Sequence, residues 1–229
     1  MNEQYLDTPF YGLKRLLVLL ILAGYKINPK RMRRLMKLQG WQTLYPTPRT
    51  TRIDPAAYKY PYLLKGLPIE RKNQVWAIDI TYIPMKKGFM YLCAVIDIYT
   101  RYVVHWGVSN SMTAEWCTEI VNHAIHLQGK PAIINSDQGS QFTSEVYVNL
   151  LKENGIQISM DGKCRAIDNI FIERLWRTVK YEHVYLHAYE DGLSLYQGLQ
   201  KYFTFYNGER RHQSLNNETP ENIYLKAAA

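Results

Sequence analysis

From Val75 onward the sequence switches to a period of two, and this switch limits the folds open to the chain. Trp76, Ile78, Ile80 and Tyr82 alternate with Ala77, Asp79, Thr81 and Ile83. That is the pattern of a β-strand, whose successive side chains point to opposite faces. Asp79 therefore falls on the face away from the large apolar side chains. Lys86-Lys87-Gly88 reads as a turn into a second strand, Phe89 to Asp97, and Thr100-Arg101 as a turn into a third, Tyr102 to Val108. Helix then alternates with strand. Thr113 caps a helix to about Gln128, with Cys117, Ile120, Val121, Ala124 and Ile125 facing inward. Pro131 to Asn135 is a short buried strand leading to Asp137. Thr143 caps a helix that stops near Gly155, and Ile156 to Ser159 is a fifth strand. Asp168 precedes a long helix to about His183, and another runs from about Leu193 to Tyr206. A three-stranded meander followed by helix and strand in alternation predicts an α/β fold, a mixed five-stranded sheet with helices on both faces.

Charge divides the chain where this pattern begins. Residues 1–72 hold 14 Lys+Arg and 4 Asp+Glu, a net of +10, whereas residues 73–229 hold 14 and 16, a net of −2. A basic arm joined to a near-neutral domain is the footprint of a protein that meets a polyanion. Within the arm, Leu13 to Ala23 reads as a helix ended by Gly24. Asn28 then offers an N-cap, with Pro29 at the first helical position, to a second helix reaching about Gln39. Met32, Leu35 and Met36 form its apolar stripe, and Lys30, Arg31, Arg33, Arg34 and Lys37 crowd the remainder. Residues 1–41 are therefore expected to be a small helix-turn-helix-like DNA-binding segment. Residues 42–72 hold five of the ten prolines and six cations, the composition of an extended basic linker. Residues 73–229 are expected to be the catalytic core with its C-terminal helices. Apolar residues at 47% supply a real core, and the eight-residue apolar run from Leu16 to Ala23 is too short to span a bilayer. Cys93, Cys117 and Cys164 show no paired spacing, so a disulfide framework or zinc knuckle is not expected.

Three carboxylates carry the chemistry. Asp79 lies within an apolar strand, where an ionised group costs several kcal/mol unless it is paired or metal-bound. Asp137 lies where a buried strand meets the Gly-bearing loop Asn135-Ser136-Asp137-Gln138-Gly139, and ligands of α/β sheets gather near strand ends. Glu173 shares a helix face with Asn169, Arg177 and Lys180. Hard carboxylate oxygens placed on a strand, a strand end and a helix suit Mg²⁺, with Mn²⁺ as a substitute. Two such ions serve in-line phosphoryl transfer between nucleic-acid strands. Asp97, four residues before Arg101, reads as a turn or ion-pair residue. His183 and His187 have a metal-ligand spacing, but Val184 stands where a zinc protease motif requires Glu.

These residues match a known pattern over nearly the whole chain. Trp76–Ile83, Val95–Arg101, Asn135–Ser144 and Asp168–Lys180 resemble the second-reading-frame transposases of the insertion sequence three family, which share an integrase catalytic core and its RNase H-like fold. The 35 residues between Asp137 and Glu173 are the spacing for which that catalytic triad is named. Lys180, seven beyond the Glu, matches the family's basic residue that contacts the DNA end. The stretch from Tyr206 through His212 to Leu215, with Thr219-Pro220, matches its C-terminal signature. Pro9–Gly12 and Asn28–Met36 match its helix-turn-helix-like front.

The resemblance implies a DDE transposase in which Asp79, Asp137 and Glu173 hold two metal ions. Such an enzyme performs metal-dependent cleavage at the element's ends and transfers a 3′-hydroxyl to new phosphates. Lys180, Arg177, Lys30, Arg31, Arg33, Arg34 and Lys37 would contact double-stranded DNA. The partners implied are element ends and target DNA, further copies of the chain on DNA, and the first-reading-frame protein or a fusion with it. No membrane is implied, and the place is the bacterial cytoplasm, at the nucleoid. The chain departs from the family in two ways. Cys164 stands where relatives usually carry Gly, just before the catalytic helix, and the first helix is greasier than its counterparts. Two other readings stay open at this point: a nuclease for RNA–DNA hybrids, and a catalytically impaired DNA-binding copy that regulates transposition.

Overall fold

The computed structural model describes residues 2–43, 60–161 and 169–226. Cys164, Asp168 and the greater part of the Pro-rich stretch lie outside them. The chain divides into two units, residues 1–54 and 55–229.

The first unit contains α1 (Asn2–Asp7), α2 (Leu13–Leu22) and α3 (Pro29–Leu38). The expected cap is present, because the Asn28 side chain accepts from the Arg31 N–H at 2.8 Å. Gly24 and Gly40 follow α2 and α3 with φ of +86° and +66°, the left-handed conformation in which helices stop. Leu16 and Met32 are buried, whereas Lys30, Arg31, Arg33, Arg34 and Lys37 are all exposed. Helix α1 was not anticipated from periodicity. Within it Tyr5 stacks on Trp41 at 4.7 Å and donates to the Gln42 carbonyl.

The second unit is built on a sheet of β1 (Val75–Pro84), β2 (Phe89–Asp97), β3 (Val103–Ser109), β4 (Ile133–Ser136) and β5 (Gln157–Met160), in the order β3-β2-β1-β4-β5. The meander strands pair antiparallel, while β4 and β5 pair parallel to β1 and to each other. Helices α4 (Ala114–Gln128), α5 (Glu145–Glu153), α6 (Ile170–Glu182), α7 (Gly192–Gly208) and α8 (Pro220–Lys226) surround it. This is the mixed five-stranded α/β sheet of an RNase H-like fold.

The alternation in β1 separates two cores. Even-numbered Trp76 and Ile78 pack with Cys117, Ile120 and Val121 of α4 and with Tyr147, Val148 and Leu151 of α5. Odd-numbered Val75, Ala77 and Ile83 pack with Ile172, Leu175, Trp176 and Val179 of α6 and with Leu195, Leu199 and Phe203 of α7. Asp79 belongs to the odd set, so β1 points its carboxylate toward α6.

Two details differ from the periodicity. Ser144, not Thr143, caps α5, accepting from the Tyr147 N–H at 3.3 Å. The turn closed by the Phe142 and Thr143 N–H groups on the Gly139 carbonyl carries the chain one residue further before the helix starts. Helix α8 was not foreseen, and it attaches through the Tyr224 hydroxyl to Asn73 Oδ1 at 2.9 Å. Residues 60–72 form neither helix nor strand, and Leu63, Leu64, Leu67 and Ile69 pack against the α6–α7 side of the sheet.

Candidate active site

Strand pairing brings the first two carboxylates together. Asp79 has Ala94 as its cross-strand neighbour on β2, so a methyl rather than a bulky side chain flanks it there. On the other side the parallel ladder pairs Ala77 with Asn135. Asp137 follows two residues on, near enough for its charge to raise the Asp79 carboxyl. Asp137 lies just past the end of β4 and is exposed. Its Oδ1 accepts the Gly139 N–H at 2.9 Å. A Cβ on residue 139 would stand 2.9 Å from that same oxygen, so only glycine leaves the carboxylate its seat.

Beneath this loop lies a polar lattice. Buried Asn135 donates through Nδ2 to Asp161 Oδ1 at 2.7 Å and accepts from Ser159 Oγ at 2.8 Å. Gln138 Nε2 donates to the Asp161 carbonyl at 2.8 Å. Satisfied buried polar networks of this kind favour one geometry over its neighbours, and here they hold the end of β4.

The third carboxylate arrives on α6. Glu173 is exposed in its first turn, and Lys180 follows seven residues on, two turns along the same face. Trp176, between them, donates its indole N–H to Asp79 Oδ2 at 2.8 Å. Burial pushes the Asp79 carboxyl up to about 6. The Trp176 hydrogen bond and the Ile80 N–H pull it back, and the negative charges of Asp137 and Glu173 add to the rise. Burial also lowers the Lys180 ammonium, against the pull of Asp79 and Glu173. All three carboxylates and the lysine therefore lie within electrostatic reach of one another. Among the described residues no three His, Cys, Asp or Glu side chains already converge on one ion position. The site is an open rim, with one carboxylate sunk into it and two at its edge.

The other sequence candidates fall elsewhere. Arg177 sits further round α6 and lines a neighbouring cavity, and the five cations of α3 belong to the first unit. Asp97 is fully buried and holds a turn, accepting from the Thr100 N–H and hydroxyl and from the Asn73 N–H at 2.7 to 2.8 Å. His183 contacts the Tyr189 hydroxyl through Nε2 at 2.6 Å, and His187 Nδ1 meets the His183 carbonyl at 2.8 Å. Sequence reasoning missed Trp176 as a partner of Asp79. The signal available was its indole N–H, which a buried Trp ordinarily satisfies.

Comparison with known proteins agrees with this fold. The Integrase core domain family matches residues 69–166 and, in a second profile, residues 154–220. The transposase for insertion sequence element IS904 of Lactococcus lactis is 32% identical, over 93% of this chain and 87% of that protein. Transposase InsF for insertion sequence IS3A of Escherichia coli is 28% identical, over 96% and 78%. Among solved structures, the HTLV-2 integrase catalytic core in complex with magnesium superposes with a TM-score of 0.52 at 20% identity, covering 67% of this chain and 97% of that one. The BIV integrase core gives 0.52 at 22% identity, covering 68% and 96%.

Proposed function

This chain belongs to the insertion sequence three family of transposases, with their integrase core, and we propose that Asp79, Asp137 and Glu173 carry its DNA cleavage and strand transfer. The observation that carries this reading is the condition of Asp79. It is a largely buried carboxylate given a single side-chain hydrogen bond, with Asp137 beside it and Glu173 facing it from α6. Such a group is poorly served by the protein alone and well served by a cation.

The donor set fits hard divalent ions such as Mg²⁺, because all three side chains present oxygen. When bound, two such ions supply Lewis acidity to the attacking and leaving oxygens of an in-line phosphoryl displacement. The chain's own parts do the rest. Trp176 fixes the Asp79 carboxylate by its indole N–H. The Gly139 N–H does the same for Asp137. Glu173, exposed and with three side-chain torsions, completes the site by swinging inward. Lys180 places a positive charge beside the carboxylates, where the phosphate of a DNA end would lie. Water attacks the phosphorus at the element's end and the 3′-oxygen leaves as a hydroxyl; that 3′-hydroxyl then attacks a second phosphorus and displaces the 3′-oxygen of the strand it joins. The exposed cations of α3, Lys30, Arg31, Arg33, Arg34 and Lys37, add phosphate contacts that are independent of sequence. Copies of the chain act together on paired element ends, with the first-frame protein as a further partner.

The test uses labelled duplexes carrying the element's terminal sequences, in Mg²⁺. Asp79→Ala, Asp137→Ala and Glu173→Ala should each abolish cleavage and joining while leaving duplex binding within about twofold of the unchanged protein, since none of them contributes a phosphate contact. Full strand transfer by any one of the three variants sinks the assignment. Hydrolysis of an RNA–DNA hybrid without joining of DNA ends would favour the nuclease reading instead.

A further inference from the structure

Next to the carboxylate rim, α6 forms one wall of a cavity of about 450 Å³ whose lining includes Arg101, Arg174, Arg177 and Arg210. Among the described residues only one acidic side chain, Glu182, lines it. Glu182 is already engaged, taking Arg210 Nη2 at 2.6 Å and Nε at 2.8 Å. His212, also on the wall, is kept neutral with its pKa lowered to about 4, by burial and by Arg210 and Arg101. Among the described lining residues, four arginines against one glutamate leave a charge of +3. Among the described residues Arg101, Arg174 and Arg177 have no ion-pair partner.

Arg101 stands out among them. Its guanidinium lies 4.0 Å above the Phe171 ring, and burial and Arg174 both work against its charge. Its backbone takes φ of +64°, a left-handed conformation that a non-glycine residue adopts only when its surroundings impose it. The imposing contacts are visible. The Arg101 N–H donates to the Asp97 carbonyl, and the Asp97 carboxylate locks the same turn. The turn thus holds a cation, stacked and half-buried, against two further cations. Placing like charges together in a partly desolvated pocket is unfavourable unless an anion joins them.

We propose that this arginine-lined cavity is a second DNA-backbone site, gripping a phosphodiester beside the one that reacts. Arginine forks suit phosphate oxygens, which they bind in pairs of parallel hydrogen bonds. Position agrees as well. Arg174 follows Glu173 by one residue, about 100° around α6, and Arg177 lies between the two faces. A strand leaving the carboxylate rim and crossing α6 meets Arg177, then Arg174, then Arg101. The site rests on the reading of the protein as a DNA-processing enzyme, yet it is testable without catalysis.

The experiment measures binding of the full chain to a fluorescent duplex of arbitrary sequence, by anisotropy across a salt series without divalent metal. Arg174→Gln alters an exposed side chain and does not threaten the fold. It should weaken binding severalfold and flatten the slope of log affinity against log salt by about 0.9 for the phosphate lost. The double variant Arg101→Gln/Arg174→Gln should bind more weakly still. Lys130→Gln, an exposed cation between α4 and β4, is the control and should change neither quantity. Unaltered binding by Arg174→Gln, or an equal flattening by Lys130→Gln, overturns the proposal. A chain that binds duplex steeply but never joins ends would sink the enzymatic reading and leave the cavity standing.

Discussion

Two aspartates on neighbouring strands, half-buried Asp79 in the middle of β1 and fully buried Asp97 at the end of β2, meet different surroundings. Burial pushes both carboxyl groups upward. Asp97 answers with three donors from its own turn and from Asn73, so its charge is absorbed into the fold. Asp79 has two donors, the Trp176 indole and the Ile80 N–H, and two like charges as neighbours. The difference teaches how to tell a structural carboxylate from a functional one. Burial alone does not distinguish them, whereas the balance between donors and like charges does.

Matched Asp-to-Asn changes are the sharpest way to break this comparison. Asp79→Asn should lower strand transfer by a factor on the order of 10³ or more, the scale expected when transition-state charge loses its stabilisation. Asp97→Asn should leave the chemistry of the folded enzyme in place. Comparable losses of turnover per folded molecule in both would erase the distinction.

Stability should move in the opposite sense. Asp97→Asn turns an NH₂ toward a buried N–H donor, leaving it unsatisfied at about 1–3 kcal/mol. For a unit of this size that lowers Tm by roughly 2–4 °C per kcal/mol. Asp79→Asn removes a charge that the fold holds at a loss. With a folded pKa of about 6 against 3.8, ionising Asp79 costs on the order of 3 kcal/mol at most. Its partly open rim lessens that figure, so a gain of about 1–2 kcal/mol is expected near pH 7.5. Thermal melts without metal read both changes, and a destabilised Asp79→Asn would contradict the account.

The sign of the pH dependence follows from the same shift. Because the folded pKa of Asp79 is raised, the protonated form favours the fold, and stability from this group declines as pH climbs from about 4 to about 6. The advantage of Asp79→Asn should therefore vanish below about pH 4 and reach its plateau above about 6. Strand transfer should show the mirror image, falling as acid protonates Asp79 and takes away a metal-binding oxygen. The smallest effect is expected from Trp176→Phe. It removes the hydrogen bond that favours the Asp79 carboxylate, so the acid limb of the activity profile should move to higher pH. An unmoved limb would mean that Trp176 only fills space.

Much of this was legible along the chain. A period of two placed Asp79 on the α6-facing side of β1, and Asn28-Pro29 announced the start of α3. The apolar run before Asn135 announced the strand end where Asp137 sits. Chain punctuation was less reliable within tight turns, as the shift of the α5 cap from Thr143 to Ser144 shows. Short amphipathic pieces such as α1 and α8 went unseen, because six or seven residues hold too little periodicity to stand out.

By itself, then, the sequence determined the order of the strands and longer helices and the faces of each strand, because these depend on spacings within a few residues. Only the tertiary structure decided what each buried charge meets. Trp176 reaches Asp79 across 97 residues, and the arginine cavity draws its walls from β2, the turn after it, α6, the end of α7 and the loop beyond. The number of donors a carboxylate receives, and the cations that gather without partners, depend on contacts between segments far apart in the chain. No local pattern encodes them, which is why the turn role of Asp97 was legible before Arg101 while the Trp176 partner of Asp79 was not.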